Sequence, residues 1–167
     1  MNKLLAQNPD VSFAIGESFP LKGTYADAVP LGPLMELRAN ANESFTQERA
    51  HESLEYWRQA ADFVLNDPEA ARSQDAVAVK SYSHDATAAA NLLAAHGFNT
   101  EAESAYAVAR QLWPGSPDVA ANLSELYRRT GRNAEARQLL EDFTRQFPDQ
   151  RKTLQELWGI SVAGAEP

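Results

Sequence analysis

Hydrophobic positions are spaced in two different ways along this chain, and the change falls near residue 43. Over residues 9–33, Pro9, Gly16, Pro20, Gly23, Pro30, Gly32 and Pro33 place seven breakers in 25 residues, a density that no helix survives. Apolar residues are threaded between and just beyond them: Val11, Phe13, Ile15, Phe19, Leu21, Tyr25, Val29, Leu31, Leu34, Met35 and Leu37. Val11, Phe13 and Ile15 alternate with Ser12 and Ala14, which permits a short strand. An extended segment this apolar lies against something. Two readings stay open: it wraps its own helical domain, or it belongs to a partner or to another domain of a longer parent chain. Residues 1–42 are therefore expected to form an extended, largely non-helical arm.

From Glu43 no proline appears until Pro68, and the spacing turns helical. Leu54, Trp57, Ala61 and Val64 recur at i, i+3, i+7 and i+10, one stripe of a helix. Ser44 with Gln47 has the spacing of a capping box, and Asn66-Asp67-Pro68 ends the pattern. A second helix starts near Pro68 or Ser73. It either runs on into His84–His96 or breaks around Ser81-Tyr82-Ser83; the spacing alone leaves both open. Residues 43–82 read as an N-terminal helical region.

Beyond it the chain repeats. Residues 83–116 and 117–150, offset by 34, share seven identities: Ala86/Ala120, Leu92/Leu126, Gly97/Gly131, Asn99/Asn133, Glu101/Glu135, Ala102/Ala136 and Pro114/Pro148. Each copy reads helix, glycine turn, helix, proline stop. Gly97 and Gly131 suit the left-handed residue that ends a helix. Ala102 and Ala136 stand where two antiparallel helices would cross. Tyr106 and Ala109, then Leu140 and Phe143, continue that buried face at i+4 and i+7. Pro114 and Pro148 stop the second helices.

The pattern of small residue, three intervening residues, large residue and closing proline at a 34-residue period resembles the tetratricopeptide repeat (TPR) family. Ala102-x3-Tyr106 with Pro114 fits it, as does Ala136-x3-Leu140 with Pro148, and Leu123-Ser124-x2-Tyr127 matches a further portion of the second copy. The first copy departs there, with Ala89-Ala90-x2-Leu93, and Ala86 and Ala120 replace the family's tryptophan. The resemblance covers about 83–161 and implies an all-α fold: a TPR-like array of antiparallel helix hairpins, a right-handed α-solenoid, closed by a capping helix over 151–161. Two repeats are fewer than the roughly three a solenoid usually needs, so residues 44–82 and the cap must supply the remaining burial.

Composition narrows the functions. With 167 residues, 44% hydrophobic and 23% charged, the chain reads as one domain with or without an arm. It has no cysteine, which removes disulfides, thiolate metal sites and thiol nucleophiles. The net charge of −8 and pI of about 4.9 set nucleic-acid binding well behind. No apolar run approaches the ~18 residues of a membrane span, and the N-terminal run is too short for a signal peptide. A soluble protein is expected, the cytoplasm favoured over the periplasm. No nucleophile elbow, phosphate loop or zinc-protease motif occurs, and His51, His84 and His96 are not paired at i+3 or i+4. No enzyme activity, cofactor or metal is expected. Glu48, Glu52 and Glu55 read as a solvated helix face ahead of a cation site. Residues 128–152 carry seven of the fifteen positive charges, namely Arg128, Arg129, Arg132, Arg137, Arg145, Arg151 and Lys152; a salt-laced surface and a local anion site both fit.

The resemblance also implies a function. In TPR proteins the first helices of successive repeats line a concave groove that often takes an extended peptide. By position, that groove would be lined here by Thr87 and Asn91, with His84, Ala94 and Ala95, in one repeat. Asp118, Ala121, Asn122, Glu125, Arg128 and Arg129 follow in the next, with Lys152 at the far end. One TPR subclass clamps a terminal carboxylate, and Asn91, Asn122 and Lys152 fall on three of its five positions. Thr87 and Glu156 occupy the other two in place of cations, which argues against a tight clamp. The resulting expectation is a non-catalytic module that binds a protein or peptide, with no nucleic acid and no membrane insertion. The alternative is an accessory domain of a larger protein whose groove is filled by its own arm.

Overall fold

The computed structural model describes residues 2–8, 10–16, 28–37, 45–66 and 77–159, and they divide into two compact units, Met1–Leu112 and Trp113–Pro167. The chain is mostly helical, and its non-helical segment carries a small sheet. In the first unit, helix α1 (Asn2–Gln7) precedes strands β1 (Phe13–Ile15), β2 (Ala28–Leu31) and β3 (Leu34–Leu37), then helices α2 (Gln47–Leu65), α3 (Val77–Ala95) and α4 (Asn99–Leu112). The second unit holds α5 (Pro117–Arg129), α6 (Asn133–Gln146), a 3₁₀ turn at Pro148–Gln150 and α7 (Arg151–Trp158).

The arm is less extended than its breakers suggest. Its three strands form an antiparallel sheet in the order β1-β3-β2. Phe13 faces Leu37 and Ile15 faces Met35 across one ladder. Ala28 faces Leu37 and Pro30 faces Met35 across the other. Proline is tolerated in β2 because this is an edge strand. The two-residue turn Gly32-Pro33 joins β2 to β3. Gly32 takes φ 58° and proline is confined to negative φ, the sign pattern of a type II′ hairpin turn. Ala28, Val29, Met35 and Leu37 are buried, and β2 packs on both α2 and α3. This part of the arm therefore docks on its own helices. Phe19 and Tyr25 lie outside the described residues.

Helix α2 buries Leu54, Trp57, Ala61 and Val64, the stripe legible in the spacing, together with Ala50 and Ser53. Its cap differs from the expected one. The helix starts at Gln47, and Thr46 accepts the Arg49 N–H at 3.3 Å; Ser44 lies outside the described residues. At the other end, the Asn66 side chain donates to the Asp62 carbonyl at 2.7 Å. Helix α3 runs unbroken through Ser81-Tyr82-Ser83. Ser83 does not break it because its hydroxyl donates to the Ala109 carbonyl of α4 at 2.8 Å, so the polar group is satisfied inside the helix pair.

Both repeat hairpins turn the same way. In α3 the Phe98 N–H reaches the Leu93 carbonyl at 3.0 Å and the Gly97 N–H reaches Ala94 at 3.2 Å. In α5 the Arg132 N–H reaches Tyr127 at 2.8 Å and the Gly131 N–H reaches Arg128 at 3.1 Å. These are the paired bonds of a Schellman cap, with Gly97 at φ 83° and Gly131 at φ 82°. Ala102 and Ala136 are both buried.

In the second unit, Ala120, Ala121, Phe143 and Leu154 form a core bordered by Leu140 and Phe147. The turn entering α5 is tight against it: a methyl group on Gly115 would sit 3.3 Å from the Phe147 ring. Gly115→Val is expected to destabilise this unit by about 1–3 kcal/mol, the range for overpacking, read from the urea midpoint. No measurable change would show that Phe147 moves aside freely.

Candidate functional site

The seven groove residues divide between the units, and each has its own local account. Thr87 departs from the expectation. It is buried on α3, and its hydroxyl donates back to the Ser83 carbonyl at 2.7 Å. Ala94 is buried too, while His84 and Ala95 are exposed. The positional transfer failed at Thr87 because α3 is packed by α2, α4 and β2, which leaves few of its positions open. Asn91 is half-buried, and its Oδ1 accepts the Tyr106 hydroxyl of α4 at 2.5 Å. That bond uses the carbonyl of the amide within its own hairpin and leaves the NH2 end for another acceptor.

In the second unit, α5 buries Pro117, Val119, Ala120, Ala121, Leu123, Ser124 and Leu126, so Ala121, expected in the groove, packs instead in the core with Phe143 and Leu154. Asp118, Asn122, Glu125 and Arg129 lie at i, i+4, i+7 and i+11 on the opposite stripe. Asn122 is half-buried, while Glu125, Arg128 and Arg129 are exposed. The Asn122 amide donates to the Asp118 carbonyl at 2.8 Å, a bond that uses its NH2 end and not its carbonyl oxygen.

The basic residues of 128–152 are mostly matched with acids on their own helices. Arg128 lies 3.2 Å from Glu125, Arg145 lies 3.1 Å from Asp142, and Lys152 lies 3.5 Å from Glu156. Arg132 binds Glu135 through two nitrogens at 2.8 Å each and stacks 4.1 Å over the Tyr127 ring. That hydrogen bond holds the Glu135 carboxyl below its usual range. Such i,i+3 and i,i+4 pairs on an exposed surface fit the salt-laced reading of this segment. Glu156, which the resemblance places at a clamp position, is the acid paired with Lys152.

In the first unit a cleft opens between the hairpin turn and the helices, lined by Gly32, Pro33 and Leu34 of the hairpin, Ser53 and Trp57 of α2, and Asp85 of α3. Trp57 is buried, and its indole Nε1 has no acceptor among the described residues. Beside it, partial burial pushes the Tyr56 phenol above its usual range, reinforced by Tyr82 and Asp85. No group of three His, Cys, Asp or Glu side chains among the described residues could hold a metal ion. Among the same residues no helix is long and apolar enough to cross a membrane.

No curated protein and no solved structure matches the chain. Residues 82–157 match the tetratricopeptide repeat family, and that stretch spans most of α3, all of α4 through α6 and nearly all of α7. The helix–Schellman turn–helix units and buried crossing alanines are what that pattern requires, so residues 82–157 of this chain belong to the tetratricopeptide repeat family.

Proposed function

We propose that this chain is a non-catalytic interaction module that binds a peptide or protein segment on the first-helix faces of its repeats. Tetratricopeptide repeats generally mediate protein–protein interaction. The residues offered are Asn91 on α3, Asn122, Glu125, Arg128 and Arg129 on α5, and Lys152 on α7. The observation that carries this reading is the outer stripe of α5. A helix that buries seven apolar or small residues presents Asn122 and Arg129 on its outer stripe, with Arg128 exposed beside it at the end of the helix. Amides and guanidinium groups hydrogen-bond an extended main chain and its carboxylates.

Affinity capture from a lysate of the source organism tests it, comparing wild type with Asn122→Ala/Arg128→Ala/Arg129→Ala and checking both by circular dichroism. Loss of an interface anchor costs upward of ~1.4 kcal/mol, or tenfold. A partner held by wild type should therefore fall by at least about tenfold in a folded triple variant. Equal capture by both proteins sinks this reading.

A second reading has its own support in the first unit. Met35 is buried, β2 packs on α3, and Thr87 is closed off. There the arm takes the place of an outside ligand, and the chain acts as an accessory domain of a larger assembly. On that reading, Met35→Ser unfolds the first unit, while the triple variant on α5 changes nothing.

A further inference from the structure

We infer that the hairpin turn and the outer face of α2 form a second docking surface, separate from the repeat faces, for a cationic apolar segment of a partner protein. Among the described residues six large hydrophobic side chains are exposed, and four of them belong to this face: Leu31 (44%), Leu34 (39%), Tyr56 (36%) and Phe63 (76%). Single exposed apolar residues are ordinary, but a contiguous group of them marks an interaction site. These are contiguous in part by construction. Leu31 and Leu34 face each other across the turn. A methyl group on Gly32 between them would lie 3.8 Å from the Tyr56 ring. Phe63 follows Tyr56 two turns along α2, on the stripe Glu52, Tyr56, Gln59, Phe63.

The rim decides the chemistry of the occupant. Glu52 heads the stripe, Glu55 and Asp62 flank it, and all three are exposed. Asp85 lines the cleft that Gly32, Pro33 and Leu34 share. Two cations lie on α2, Arg58, 3.8 Å from Glu55, and Arg49, 3.8 Å from Glu36 of β3, and each is matched with an acid. The imbalance is regional. Residues 1–112 hold 15 acidic and 8 basic residues, a net charge of −7, whereas residues 113–167 hold 8 and 7, a net charge of −1. An apolar strip inside an acidic rim is complementary to aliphatic side chains interleaved with lysine or arginine. A second copy of this chain would bring the same acids against each other.

The probe is a synthetic amphipathic helix of leucine and lysine, titrated into the isotope-labelled full chain and followed by amide chemical shifts. Shift changes should concentrate at 31–34 and 52–63. Leu34→Ser/Phe63→Ser, folded by circular dichroism, should weaken binding by about tenfold. Glu52→Gln/Asp62→Asn should weaken it less and reduce its salt dependence. The matching leucine–glutamate helix should not bind, nor should a lysine–serine peptide of equal charge. Four results overturn the inference: equal affinity in the serine variant, equal binding of the glutamate peptide, shifts confined to the repeats, or no binding. A concentration-dependent dimer abolished by Phe63→Ser would overturn it as well, by assigning the face to a second copy.

Discussion

Trp57→Ala should destabilise the first unit by about 3–5 kcal/mol, the usual cost of emptying a buried aromatic site. Trp57 is 1% exposed and stands in the wall between α2, α3 and the hairpin, among Pro30, Met35, Ala89 and Leu92. Small domains have only ~5–15 kcal/mol in total, so the loss is roughly a fifth or more of the unit's stability. The urea midpoint followed by circular dichroism measures it. Trp57→Phe separates volume from polarity. It keeps an aromatic ring and deletes an indole N–H that has no acceptor among the described residues, a group whose burial itself costs free energy. Its cost should be well under half that of the alanine variant. Phe63→Ala, on the exposed side of the same helix, should stay within ~0.5 kcal/mol. A loss below ~1 kcal/mol in Trp57→Ala would mean that the hairpin does not hold its place on α2 and α3.

The contrast between Trp57 and Phe63 shows what the spacing of residues could and could not reveal. Periodicity picks out Leu54, Trp57, Ala61 and Val64 because a helix with one dry side must repeat its apolar residues about every 3.6 positions. The repeat turns are equally legible, since the left-handed residue of a Schellman cap strongly favours glycine, and Gly97 and Gly131 recur 34 residues apart. The hairpin is harder to see. Gly32-Pro33 is a turn on inspection, but strands of four residues give too little alternation to set a register, and the pairing of Met35 with both Ile15 and Pro30 depends on contacts distant in sequence. Helix α1, at Asn2–Gln7, is one short run with no periodicity to read. Ser83 shows the same limit from the other side: a serine inside a helix looks like a break until its acceptor on α4 is known.

The sequence placed the candidate side chains by position but not by state. A family template assigns Thr87, Asn91 and Asn122 comparable places on two first helices, yet Thr87 is closed off and the two asparagines present opposite ends. Asn91 spends its oxygen on Tyr106, whereas Asn122 spends its NH2 on Asp118. The difference follows from the neighbours. Tyr106 supplies a hydroxyl to the first hairpin, and Leu140 stands at the equivalent place in the second. Tyr56 and Phe63 carried one available signal: large apolar residues that fall off the buried stripe of their own helix.

Leu154→Ala should have the second-largest effect, about 2–5 kcal/mol on the second unit, and it bears directly on function. Helix α7 has eight residues, too few to be stable alone, since isolated helices below ~12–15 residues are marginal in water. Tertiary contact must hold it, and Leu154 is a fully buried side chain that places it among Ala120, Ala121 and Phe143. Truncation should release α7 before it unfolds the rest. Hydrogen exchange at 151–158 should accelerate while the amides of α5 and α6 remain protected. If Lys152 contributes to binding on the repeat faces, Leu154→Ala should lose at least as much partner affinity as Lys152→Ala, although Leu154 itself is shielded from any partner. Uniform acceleration across α5, α6 and α7 would instead make α7 part of one cooperative unit. Full affinity in both variants would remove α7 from the binding surface and leave α5 to carry it.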